Sequence, residues 1–140
     1  MPKKDVYHEM VRNALIQEGW TITDDPFWMS YGGRNVFADF AAERLIGAEK
    51  GARRILVEVK SFTGLSEIHE LEVALGQYNL YRDILAELEP ERSPYLAIPR
   101  RAYKSVFTDP LGQLVLKRER LELLVFDEQQ GGDLEWMPQP

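Results

Sequence analysis

Apolar residues recur along the chain with two different periods, and the switches between them divide it into elements. From Asp5 to Glu18, the residues Tyr7, Met10, Val11, Ala14 and Leu15 fall three and four apart and line one side of a helix. Asp5 is placed to cap that helix and Gly19 to stop it. Trp20–Thr23 reads as a short strand, after which Asp24, Asp25 and Pro26 break the chain. Two β-prone runs, Phe27–Tyr31 and Asn35–Phe40, flank Gly32-Gly33, a pattern that predicts a hairpin. A short helix is expected over Ala41–Lys50, ended by Gly51.

Ile55–Lys60 is the clearest strand. Ser66 can cap a long helix running to about Leu88, with Glu67 and Glu70 suited to its positive end. Ile68, Leu71, Ala74, Leu75, Tyr78 and Leu85 make its expected buried stripe, and Pro90 ends it. Tyr95–Ile98 is an apolar strand stopped by Pro99; Arg101–Phe107 and Leu111–Lys117 read as helices, and Leu121–Phe126 as the last strand. Residues 128–140 are polar and rich in Gly and Pro, and read as a loosely ordered tail. The order predicts one α/β domain over 1–127, a mixed sheet with helices packed on its faces.

Composition fits that picture. Of 140 residues, 44% are hydrophobic and 29% charged, enough for one core. The chain has no cysteine, which excludes disulfides and thiolate metal sites. No apolar run approaches the roughly 18–20 residues of a membrane span, and the charged start has no signal-peptide core behind it. A cytoplasmic protein with no membrane contact is expected. The net charge of −6 argues against tight, unaided binding to DNA. Basic residues cluster at Arg53-Arg54, at Arg100, Arg101 and Lys104, and at Lys117, Arg118 and Arg120, each readable as a solvated face.

Candidate chemistry lies in two strands. Asp39 interrupts the apolar run Val36–Phe40, where a buried charge costs several kcal/mol unless it is paired or bound to a metal. In Ile55–Lys60, side-chain alternation sends Leu56, Glu58 and Lys60 to one face and Ile55, Val57 and Val59 to the other. An exposed ion pair on an edge strand, worth about 0–1 kcal/mol, is the plain reading. The alternative is a carboxylate and an ammonium converging on one pocket. An Asp on one strand and Glu-x-Lys on the next suit metal-assisted phosphodiester cleavage. Asp39, Glu58 and the Val59 carbonyl would hold Mg²⁺ or Mn²⁺, and Lys60 would orient the attacking water or meet charge developing on the phosphate.

Asp39 followed by Glu58-Val59-Lys60 resembles the catalytic signature of the PD-(D/E)xK nuclease superfamily, with Ala38 in place of the usual proline. That resemblance implies a restriction-endonuclease-like fold. Gln77 and Tyr81, four apart on the long helix, resemble the Gln-x-x-x-Tyr motif of RecB-type nucleases, which helps position the site or the nucleic acid. The same resemblance implies a metal-binding role for His8 on the first helix, with Glu9 as the weaker alternative.

Over nearly the whole chain the sequence resembles the XisH family. The residues that carry this are Lys4–Leu15, Gly19–Thr23, Asp39 with Glu43-Arg44, Val57–Phe62, Ala74–Tyr81, Pro110–Gln113 and Val125–Asp127. XisH proteins are cyanobacterial factors that control excision of the fdxN element by site-specific recombination. The resemblance implies an XisI-like protein and the recombination machinery as partners. DNA contact and self-association stay open. Two functions remain: a Mg²⁺-dependent endodeoxyribonuclease or nuclease-derived DNA-binding factor, and a non-catalytic regulatory partner of an XisI-like protein built on the same fold.

Overall fold

The computed structural model describes residues 6–48 and 51–138 of the chain. Helix α1 (His8–Gln17) leads to β1 (Thr21–Asp24), a hairpin of β2 (Phe27–Tyr31) and β3 (Arg34–Ala38), and the long pair β4 (Phe40–Gly47) and β5 (Gly51–Val59). Then come α2 (Glu67–Leu88), β6 (Arg92–Pro99), α3 (Arg100–Val106), α4 (Pro110–Arg118), β7 (Leu123–Phe126) and β8 (Leu134–Met137). Among the described residues, six strands form one sheet in the order β1-β4-β5-β6-β7-β8, with the β2–β3 hairpin separate. The pairs β5–β6 and β6–β7 are parallel, because helices carry the chain back between them; the remaining neighbours are antiparallel. This is the mixed α/β sheet flanked by helices that the pattern predicts.

Alternation along β5 divides the core. Ile55, Val57 and Val59 lie with Phe40 and Ala42 under α1, against Val11, Ala14 and Leu15. On the other face Leu56 meets Ala41, Tyr81, Leu85 and the hairpin residues Phe27, Met29 and Ala38. Farther along that face, Leu71, Ala74 and Tyr78 of α2 pack with α3 on Leu96, Ile98, Leu123 and Val125. Ser66 caps α2 by accepting from the His69 N–H at 3.2 Å. Gly32 and Gly33 both have positive φ, as a two-residue hairpin turn requires.

Several expectations are corrected. Ala41–Lys50 is not a helix: its described part continues β4 and pairs with β5 in the register Ala42↔Ile55 and Glu43↔Arg54. The high helix propensity of the alanines loses to tertiary context, because Ala41 and Ala42 face opposite cores and a strand buries both. Lys50 lies outside the described residues, as does Asp5, the expected cap of α1. Ile68 is 52% exposed and does not belong to the buried stripe of α2, which continues instead through Tyr81 and Ile84. The segment 128–140 is not simply a loose tail, since Leu134–Met137 pairs with β7 as β8 and Leu134 reaches the α1-side core.

Candidate active site

The site forms where β3 hands over to β4. Phe40 pairs with Val57, so the antiparallel register sets Asp39 opposite Glu58. Two hydrogen bonds lock the step: the Asp39 N–H donates to Glu58 Oε1 at 3.2 Å, and Asp39 Oδ2 accepts the Val59 N–H at 2.7 Å. Lys60 follows the end of β5, its N–H donating to the Ala97 carbonyl at 2.9 Å and its Nζ standing 3.6 Å from Glu58 Oε2. The three residues expected to act together are therefore within one constellation.

That constellation opens on a cleft of about 480 Å³, lined by Asn35, Phe37, Asp39, Glu58, Lys60, Gln77 and Tyr81 among others. Glu58 is only 9% exposed. Burial, and after it the negative charge of Asp39, push its carboxyl from the usual 4.5 up to about 8, against the opposing pull of Lys60. Both helix residues singled out in the sequence face this cleft. The Tyr81 hydroxyl donates to the Phe37 carbonyl at 3.0 Å and so ties α2 to the strand that delivers Asp39. Burial foremost, then Glu58 and Asp39, raises the Tyr81 hydroxyl's proton affinity. Gln77 Oε1 is buried and has no hydrogen-bond partner.

His8 is 2% exposed and packs edge-on against Phe40. Its Nε2 lies 2.9 Å from Asp25 Oδ2, and its Nδ1 lies 3.7 Å from Asp39 Oδ1 with no hydrogen-bond partner of its own. When Nε2–H donates to Asp25, Nδ1 turns a lone pair toward the Asp39 carboxylate. Two acceptors facing each other fit a cation placed between them, whereas a protonated ring pairs with the half-buried Asp39 directly. One imidazole nitrogen and two carboxylates are donors of the kind Mg²⁺ or Mn²⁺ takes, but among the described residues the three that already converge within 4.8 Å are His8, Glu9 and Asp25, so His8, Asp39 and Glu58 would share an ion only after side-chain movement. The Val59 carbonyl, the fourth expected ligand, belongs to the residue whose N–H already holds Asp39.

In the sequence Asp25 is legible only as a chain breaker before Pro26. It orients His8 and also accepts from Arg12 Nη1 at 3.2 Å. Ligand atoms of His8, Glu9 and Asp25 all lie within 4.8 Å of one another. Glu9 itself is exposed, as the helical rotation implied. A second hollow of about 540 Å³, lined by Tyr103, Lys117, Arg120, Glu122 and Met137 among others, has no pair of carboxylates and no link to this chemistry.

Residues 1–132 match the XisH protein family. The chain belongs to the XisH family. A crystal structure of an XisH family protein from Nostoc punctiforme PCC 73102 shares 39% identity and superposes with a TM-score of 0.84, covering 94% of this chain and 98% of that one. A fdxN element excision controlling factor protein from Anabaena variabilis shares 41% identity with a TM-score of 0.85, covering 95% and 98%. A much more distant likeness, 13% identical with a TM-score of 0.41 over 84% of this chain and 23% of the other, is to the MspJI restriction endonuclease in complex with a 27-mer oligonucleotide. Among curated proteins no match to the chain is found. No helix among the described residues is long and apolar enough to cross a membrane.

Proposed function

We propose that this XisH protein acts on DNA in the excision of a DNA element, through a nuclease-type divalent-metal site. The observation that carries this reading is the pairing of the half-buried Asp39 with the buried Glu58, with Lys60 beside it, in a cleft that also receives Gln77 and Tyr81. Asp39, Glu58, His8 Nδ1 and the Val59 carbonyl would hold Mg²⁺ or Mn²⁺, which when bound supplies Lewis-acid stabilisation to a phosphodiester.

The chain's own groups supply the rest. Glu58 would hold the ion as a carboxylate, releasing its proton to water in the cleft. Lys60 brings a positive charge to the place where phosphate charge grows. The unpartnered Gln77 carbonyl oxygen can accept a hydrogen bond from a water and orient it. Tyr81 holds the Phe37 carbonyl and thereby the position of Asp39. Asp25 fixes the ring of His8. On this reading the protein works in the cytoplasm, with an XisI-like protein and the recombination machinery as partners.

The net charge of −6 favours one second reading, in which the fold binds an XisI-like protein and cuts nothing. Purified protein, with and without that partner, is assayed for Mn²⁺-dependent melting shifts and for cleavage of single-stranded, duplex and branched DNA. The nuclease reading expects a melting shift abolished by Asp39→Ala. It also expects cleavage reduced at least about a hundredfold by Lys60→Ala. Excision that survives Lys60→Ala, with no cleavage of any DNA form, would establish the second reading instead.

A further inference from the structure

The β2–β3 hairpin has two unlike faces. Phe27, Met29 and Ala38 point inward onto Leu56 and α2. Their strand neighbours Trp28, Ser30, Asn35 and Phe37 share the opposite face, as the pairs Trp28↔Phe37 and Ser30↔Asn35 require. There Trp28 is 56% exposed, with its ring centroid 4.9 Å from that of Phe37 and the planes inclined at 51°. Ser30 Oγ donates to Asn35 Oδ1 at 2.6 Å, so the amide NH₂ is what Asn35 has left to offer a ligand. β3 also borders the cleft that holds Asp39, Glu58 and Lys60, where the outer-face residues Asn35 and Phe37 line it together with Val36 of the inner face.

Resting on the nuclease-type reading above, we infer that the outer face of the hairpin is a stacking platform for an unpaired base of the strand whose phosphate lies at Asp39, Glu58 and Lys60. The substrate class is then single-stranded or locally unpaired DNA. An exposed aromatic ring meets any base through its π-face, whereas a base inside a continuous duplex reaches it only by leaving the stack. Trp28 and Phe37 supply the rings, and Ser30 and Asn35 interleave polar groups suited to a base edge. A stably docked protein would need on the order of 20 residues on this side, well beyond the four side chains of this strip. Positive charge near the platform is sparse: Lys60 lies in the cleft beside Glu58, and Arg34, paired with Tyr31, falls by alternation on the other face, so stacking contributes more of the affinity than phosphate contacts do.

The test uses intrinsic fluorescence of the full-length protein with Ca²⁺ present. Trp28 is the exposed tryptophan, since Trp20 is 4% exposed and Trp136 is half-buried beneath Arg53. Oligothymidylate should quench it, and a duplex of equal length should quench it far less. Trp28→Ala should weaken single-strand binding roughly tenfold and Trp28→Phe should restore most of that loss, with duplex binding unchanged. Both variants should keep the Mn²⁺ melting shift. An unquenched Trp28 at saturating oligothymidylate, or single-strand binding equal in Trp28→Ala and wild type, overturns the platform and leaves this face to a protein partner. If the Mn²⁺ shift is intact in that case, the metal site survives the result. Trp28-dependent strand binding without any Mn²⁺ shift would support the platform and remove the metal reading.

Discussion

Replacing Glu58 by Gln isolates the electrostatics of the site. In the unfolded chain this carboxyl ionises near 4.5, and in the folded protein it keeps its proton up to about 8. Below the lower value both states carry the proton and the group costs nothing. As pH rises between the two, the unfolded state releases its proton first, so stability falls by about 1.4 kcal/mol per pH unit. From about pH 5 to about pH 7 this amounts to roughly 3 kcal/mol, reduced to about 2 kcal/mol by water entering the open cleft. Gln keeps the oxygen that accepts the Asp39 N–H and removes the titration. Urea unfolding of both proteins in EDTA should therefore give similar stabilities near pH 5 and a Gln variant about 2 kcal/mol more stable near pH 7. Mn²⁺ should reverse the order, since it rewards the ionised carboxylate of wild type, and its benefit should grow with pH as the proton it displaces is held less tightly. Identical pH slopes in EDTA would refute the buried, proton-holding Glu58. An undiminished Mn²⁺ effect in the Gln variant would remove Glu58 from the ligand set.

Asp39→Asn should keep an oxygen for the Val59 N–H and stay within about 1 kcal/mol of wild type while losing the Mn²⁺ melting shift; Asp39→Ala should lose the shift and also about 1–3 kcal/mol of stability in urea. Gly112→Ala should destabilise the protein by about 3 kcal/mol or more by thermal melting, because a Cβ there would lie 2.1 Å from the Val106 carbonyl oxygen and 2.5 Å from the Phe107 Cα, and backbone cannot give way. Tyr81→Phe should cost about 1 kcal/mol in urea unfolding and weaken Mn²⁺ binding by calorimetry, since it removes the bond to the Phe37 carbonyl that steadies the approach to Asp39.

What could be read from sequence was what a single element encodes. β5 is legible because its alternation is local: Glu58 and Lys60 share a face whatever lies around them, and the structure puts that face toward α2 and the cleft. The capped start of α2 is legible for the same reason, since Ser66 and the His69 N–H it accepts are neighbours in the chain. β4 was hidden because two alanines carry no period; only the cores on both faces decide between helix and strand. β8 was hidden because Leu134–Met137 is a strand by virtue of its partner β7 and has little pattern of its own.

The same distinction explains which part of the site went unseen. Asp39 was conspicuous as a charge in an apolar run, and the register of β4 on β5 then brings it to Glu58 without further instruction. Asp25 had no such contrast, standing beside another aspartate and before a proline, where a turn is explanation enough. Its work depends on α1 laying His8 between two acidic residues from different parts of the chain, 2.9 Å from one and 3.7 Å from the other. The strands thus determine how Asp39 faces Glu58, and the helix sets the His8 imidazole beside Asp39, where the proposed metal reading would use it. Metal affinity should therefore respond to how α1 packs on Phe40 as well as to the acids themselves.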